Sequence, residues 1–123
     1  MAEMGVALKE ALQISGAIAV AVVDQSSGMA LDTAGGSKDF DPGVAAAANT
    51  EVLRAKLRTM EMLGLKEGIE DILVTQGSQY HLIRPITGRS GKGLFIYLAL
   101  VRDRANLALA RHQLRAIEQV IEV

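Results

Sequence analysis

The chain has 123 residues, 50% hydrophobic and only 3% aromatic, with 13 Lys plus Arg against 14 Asp plus Glu and a formal net charge of −1. This length suits one domain, residues 1–123, built round a single apolar core, and the high apolar content with low net charge argues against disorder. With no cysteine there is no disulfide scaffold, no Cys-ligated zinc and no thiol nucleophile.

In chain order, Glu3 to about Ile14 reads as a helix, with Met4, Leu8, Ala11 and Leu12 on one side and Ser15-Gly16 as its stop. Ala17 to Val23 is a continuous apolar run, the pattern of a strand covered on both faces. Asp24-Gln-Ser-Ser-Gly28 is a turn, and Met29 to Ala34 a second strand hairpin-paired with the first. Asp41-Pro42 starts a helix to about Leu63, with Asp41 as cap and Gly64 as stop. A third strand lies around Ile69 to Thr75 and a fourth at Tyr80 to Ile86, where Pro85 interrupts the ladder. After a glycine-rich loop, Leu94 to Val101 is the fifth. Asp103 then caps a last helix reaching about Ile121. Leu107, Ala110, Leu114, Ile117 and Ile121 form its buried stripe, and Arg111, Arg115, Glu118 and Gln119 its solvated side. The expected fold is α/β of the α+β kind, a five-stranded antiparallel sheet with helices on its faces, in the order α-β-β-α-β-β-β-α.

The middle helix has two apolar faces. At about 100° per residue, Val44, Ala48, Val52, Ala55, Met62 and Leu63 gather on one side, which is expected to lie on the sheet. Ala46, Leu53, Leu57 and Met60 gather on the other, with Arg54, Arg58 and Glu61 in a polar band between. A surface helix needs one apolar stripe, so the second is expected to be an interface through Leu53, Leu57 and Met60.

Chemistry is harder to find. The loop Gly88-Arg-Ser-Gly-Lys-Gly93 has Ile86 where a phosphate-binding loop needs its first glycine, and no helix follows it, so it reads as a hairpin loop. His81 and His112 are the only histidines, and neither has a partner at zinc-ligand spacing. Asp39 and Asp41, like Glu70 and Asp71, are paired carboxylates, but Asp41 serves as a cap and Glu70-Asp71 as charge near a sheet edge. No catalytic constellation, cofactor site or metal site emerges. Balanced charge and four aromatics (Phe40, Tyr80, Phe95, Tyr97) offer neither a basic footprint nor a stacking platform for nucleic acid. No run approaches the roughly 18 apolar residues of a membrane span. Glu3 and the lack of a basic start do not read as a signal peptide, and the missing cysteine suits a reducing cytosol, so a cytoplasmic location is expected.

Several motifs, taken in order, resemble the Roadblock family of dynein light-chain and small-GTPase-regulator domains. They are Ala21-Val-Val-Asp-Gln-Ser-Ser-Gly28, the long helix after Asp41-Pro42, Tyr80-His-Leu-Ile-Arg-Pro85, Phe95-Ile-Tyr-Leu-Ala-Leu-Val-Arg-Asp-Arg104 and Ala105-Asn-Leu-Ala-Leu-Ala-Arg111. The resemblance covers nearly the whole chain. It implies a profilin-like sandwich and a non-catalytic adaptor that forms homodimers or heterodimers and binds small Ras-like GTPases. It further implies sheets joined through the third strand, at Ile69, Ile72 and Val74, and long helices paired through Leu53, Leu57 and Met60. A GTPase would meet the band Arg54, Arg58 and Glu61. Two rivals make different demands. A small-molecule-sensing, PAS-like domain needs a closed apolar pocket between sheet and helix, with room left by Ala45-Ala-Ala-Ala48. An enzyme built on His81 needs a carboxylate within hydrogen-bond reach of it.

Overall fold

A computed structural model describes residues 2–88 and 91–122. Arg89 and Ser90, in the glycine-rich loop, lie outside the described residues. The elements are β1 (Ala2–Glu3), α1 (Met4–Leu12), β2 (Ala17–Asp24), β3 (Ala30–Gly35), α2 (Pro42–Met62), β4 (Ile72–Thr75), β5 (Gln79–Pro85), β6 (Leu94–Val101), α3 (Leu107–Val120) and β7 (Ile121–Glu122), with a 3-10 turn at Arg102–Arg104. The main sheet is five-stranded and antiparallel, in the order β3-β2-β6-β5-β4. This is the α+β sandwich expected from the sequence. The parallel pairing of β1 with β7 is an addition, two residues on each side, too short to leave a periodic signal.

Both faces of the sheet are covered. Ala19, Ala21 and Val23 of β2 pack towards α2 with Phe95 and Tyr97, while Val20 and Val22 pack towards α1 and α3 with Leu98 and Leu100. That two-sided burial is why β2 and β6 carry no polar alternation. The predicted stop of α2 holds: Gly64 follows the C-cap Leu63 with φ of +70°, a region other residues rarely enter, whereas α1 ends at Leu12, before Ser15-Gly16. Asp41 caps α2, accepting from the amides of Gly43 (2.8 Å) and Val44 (3.3 Å).

Three expectations are corrected. First, the faces of α2 are exchanged. Ala46 and Leu53 are buried against the sheet with Thr50, whereas Val44 is 67% exposed and Met62 85%. The small side chains of Ala19 and Ala21 let the helix approach closely at Ala46. Thr50 tolerates burial because its hydroxyl donates to the Ala46 carbonyl at 2.9 Å. Second, Asn106, not Asp103, caps α3: its side chain accepts from the Leu109 amide at 3.1 Å, and Asp103 sits in the 3-10 turn. Third, Glu118 is not on a solvated side but fully buried. It stands four residues after Leu114, in the same stripe, and its Oε1 accepts from the Thr87 amide and hydroxyl. Its charge is balanced by Arg84, whose Nε lies 3.6 Å from Oε2.

Candidate interaction surface

The outward side of α2 carries a strip of exposed apolar residues. Ala48, Val52, Ala55, Thr59 and Met62 recur at alternating spacings of four and three, the seam that lets one helix lie along another. Ala48, Val52, Ala55, Thr59 and Met62 are all exposed, and the seam carries no charge. Two of the five are alanines, which permit close approach of a second backbone. Val44 and Leu63 extend the apolar strip at its ends, both about two-thirds exposed.

The residues proposed from the sequence for this helix therefore divide. Leu53 has no surface to offer, because it lies in the protein's own core. Leu57 is 37% exposed and Met60 half-buried, both on the flank between sheet and seam. Arg54 is not a free member of a polar band. Its Nε donates to the Gln25 carbonyl (2.9 Å), one Nη to the Ser26 carbonyl (2.6 Å) and the other to Glu51. It thus brackets α2 to the β2–β3 turn and helps set the helix rotation. The same turn is held by Asp24, which accepts from the Ser26 amide and from the hydroxyls of Ser26 and Ser27; these bonds, the amide first, hold its carboxyl below the usual range. Arg58 and Glu61 are exposed, with no ion pair among the described residues.

At the other end of the sheet, β4 is an edge strand hydrogen-bonded only to β5. The strand begins at Ile72, so Ile69, Glu70 and Asp71 precede it. Ile72 and Val74 pair with Ile83 and His81 and share their face, the one on which α2 lies; both are half-buried. Ile69 packs on the same core. Asp71 is engaged by Arg111 of α3 through two bonds of 2.8 and 2.9 Å, which tie the approach to β4 onto α3 and raise the arginine's pKa further.

The other chemical groups are used inside the fold. The His81 ring nitrogens face Gln79 Oε1 (2.8 Å) and the Tyr97 hydroxyl (3.3 Å), not a carboxylate, and Phe40 packs edge-on against it. Burial lowers the His81 pKa and pushes Tyr97 up to about 12. His81 is therefore a neutral core histidine, not the base of an acid–base pair. Ala45 and Ala46 pack closely on the sheet instead of leaving the room a sensing pocket needs. No group of three or more His, Asp or Glu among the described residues could hold a metal ion, and no described helix is long and apolar enough to cross a membrane.

No protein-family model matches the sequence, and neither does any curated relative. Solved structures do. The chain is similar to a Roadblock/LC7 domain from Streptomyces avermitilis, with a TM-score of 0.79 at 11% identity over 96% of this chain and 93% of that one. It is similar to Myxococcus xanthus MglB, with a TM-score of 0.72 at 16% identity over 91% and 82%. It is also similar to an MglB solved in a tetrameric arrangement, with a TM-score of 0.78 at 14% identity over 94% and 82%. Likeness at such low identity speaks of architecture, and the architecture of this chain is the Roadblock fold.

Proposed function

We propose that this protein is a non-catalytic, cytoplasmic adaptor that pairs with a second copy of itself and binds a small Ras-like GTPase, which it regulates or scaffolds. The observation that carries the reading is the uncharged seam of α2, open to water on a helix of 21 residues. A seam of this kind is the half-interface of a helix pair. The open edge of β4 would extend the sheet into the partner's. Leu57 and Met60 would flank the helix pair, and Ile72 and Val74 the sheet junction. Resemblance in motif order to the Roadblock family and similarity in fold to a Roadblock/LC7 domain and to MglB support the GTPase part. Arg58 and Glu61, exposed beside the seam, are the residues assigned to that contact. Arg54 contributes by holding the helix in place.

Light scattering tests the pairing. Wild type should run as a dimer at micromolar concentration and Val52→Asp as a folded monomer; a monomeric wild type would overturn the claim. For the partner, the immobilised dimer should retain a Ras-like GTPase from native cytosol, and Arg58→Glu with Glu61→Lys should release it. Retention unchanged by that double variant would reject the assigned contact, and captures that never contain a GTPase would reject the partner.

A further inference from the structure

Met62 closes the seam of α2 and, at 85% exposed, is the most open large apolar side chain among the described residues. The other described methionines are placed differently. Met4 and Met60 are half-buried, and Met29, 68% exposed, stands between β2 and β3, outside the seam. A methionine thioether is oxidised by peroxide to a sulfoxide, which turns a flexible apolar side chain into a polar one.

The surroundings of Met62 decide what that change does. The new oxygen is a hydrogen-bond acceptor, and the seam has no free donor for it. The Thr59 hydroxyl already donates to the Ala55 carbonyl at 2.9 Å. The amides of Leu63, Gly64 and Leu65 donate to the carbonyls of Thr59, Glu61 and Met60 at 3.0, 3.1 and 2.9 Å. Ala48, Val52 and Ala55 have no polar side-chain atom. Arg58, one turn back, is exposed on the flank, so a bond to it would draw the side chain out of the seam. In a free chain, water satisfies the oxygen. Between two seams it would be buried without a partner, at a cost.

We infer that Met62 is an oxidation site through which a peroxide converts the α2-paired dimer into monomers. The inference rests on the pairing reading of the seam and is independent of the GTPase reading. A lone pair of Met62 Sδ attacks one peroxide oxygen. The S–O bond forms as the O–O bond breaks, and the departing hydroxide takes up a proton and leaves as water. Sulfur loses two electrons and the peroxide gains them. The reaction takes place on the dissociated chain, where the thioether is open, and the sulfoxide then opposes reassociation. Oxidation of Met29, outside the seam, leaves the pairing unchanged.

The experiment treats the full-length protein with hydrogen peroxide at one concentration below and one above its dimer dissociation constant. Peptide mass spectrometry follows Met62 and Met29, light scattering the oligomeric state, and circular dichroism the fold. Met62 should oxidise more slowly at the higher protein concentration, and Met29 equally at both. Oxidation should raise the dissociation constant about tenfold for each of the two buried oxygens, hence about a hundredfold for the dimer. Met62→Leu should remain dimeric after the same treatment, whereas Met29→Leu should dissociate as wild type does. A dimer that persists with Met62 fully oxidised overturns this inference, as does loss of the Met62→Leu dimer on treatment. So does a Met62 oxidation rate that ignores protein concentration. An untreated protein that is monomeric overturns the pairing reading itself, and this inference with it.

Discussion

Replacing Leu53 by alanine tests the assigned rotation of α2 directly. The side chain is completely buried, in one cluster with Ala19, Ala21, Val23, Ile83, Phe95 and Tyr97. Truncation removes about three carbons from that cluster. Transfer alone costs about 2 kcal/mol at roughly 0.8 kcal/mol per methylene, and the cavity left behind brings the total to about 3–4 kcal/mol. The helix cannot easily sink to fill the gap, because the adjacent Arg54 anchors the same turn to the Gln25 and Ser26 carbonyls. At about 4 °C per kcal/mol for a domain of this size, the melting temperature should fall by roughly 12–16 °C. Val52, one residue earlier but 38% exposed, is the control. Val52→Ala should cost less than about 1 kcal/mol in the isolated fold. Its effect should appear instead in the protein concentration at which the dimer dissociates. Thermal melts followed by circular dichroism, at two protein concentrations, separate the two effects. If Leu53→Ala melts within about 3 °C of wild type, the assigned rotation is wrong. The same holds if Val52→Ala is the costlier change at a dilution where the protein is monomeric.

Arg54→Ala should cost about 1–2 kcal/mol and speed hydrogen exchange at the amides of Ser26 to Gly28, since the carbonyls of Gln25 and Ser26 lose their donor. Glu118→Gln should destabilise by about 3–5 kcal/mol in urea titrations, because Arg84 is left as an uncompensated buried cation, while Glu118→Leu combined with Arg84→Met should be close to neutral. Asp41→Ala should cost about 1 kcal/mol by thermal melt, through loss of the α2 cap. His81 gives a pH signature. Its folded pKa lies below the ordinary 6.5, so the unfolded chain binds the proton first. Its contribution to stability is full above about 6.5 and declines as the pH falls from there towards the folded pKa; urea midpoints at pH 7.5, 6.5 and 5.5 should show this slope, and His81→Gln should flatten it.

The strands and helices were legible in the sequence because their signals are local. The apolar run of β2, the Asp41-Pro42 start and the Gly64 stop each answer to one short-range rule. The rotation of α2 was not legible, because both of its faces are apolar and the choice depends on what the sheet presents. One signal was available: Ala46, Thr50 and Leu53 lie at spacings of four and three, provided a threonine bonded to its own helix is counted as apolar. Glu118 was missed for a related reason. It stands four residues after Leu114, but its charge assigned it to the solvated side, and only the fold reveals Thr87 and Arg84 beside it. Arg84 and Glu118 lie on different elements, far apart in sequence, so no spacing rule could have paired them. Of the surface on α2, the sequence indicated that a second apolar face exists; the fold decides which one meets water.

The pairing of Ala2–Glu3 with Ile121–Glu122 brings the two chain ends side by side, next to α1 and on the opposite side of the sheet from α2. Whatever is appended to either end leaves from the same place. A chain held by either end would thus present α2 away from the attachment point. On the proposed reading, in which α2 is the working surface, tethering and recognition can proceed from opposite sides without obstructing one another.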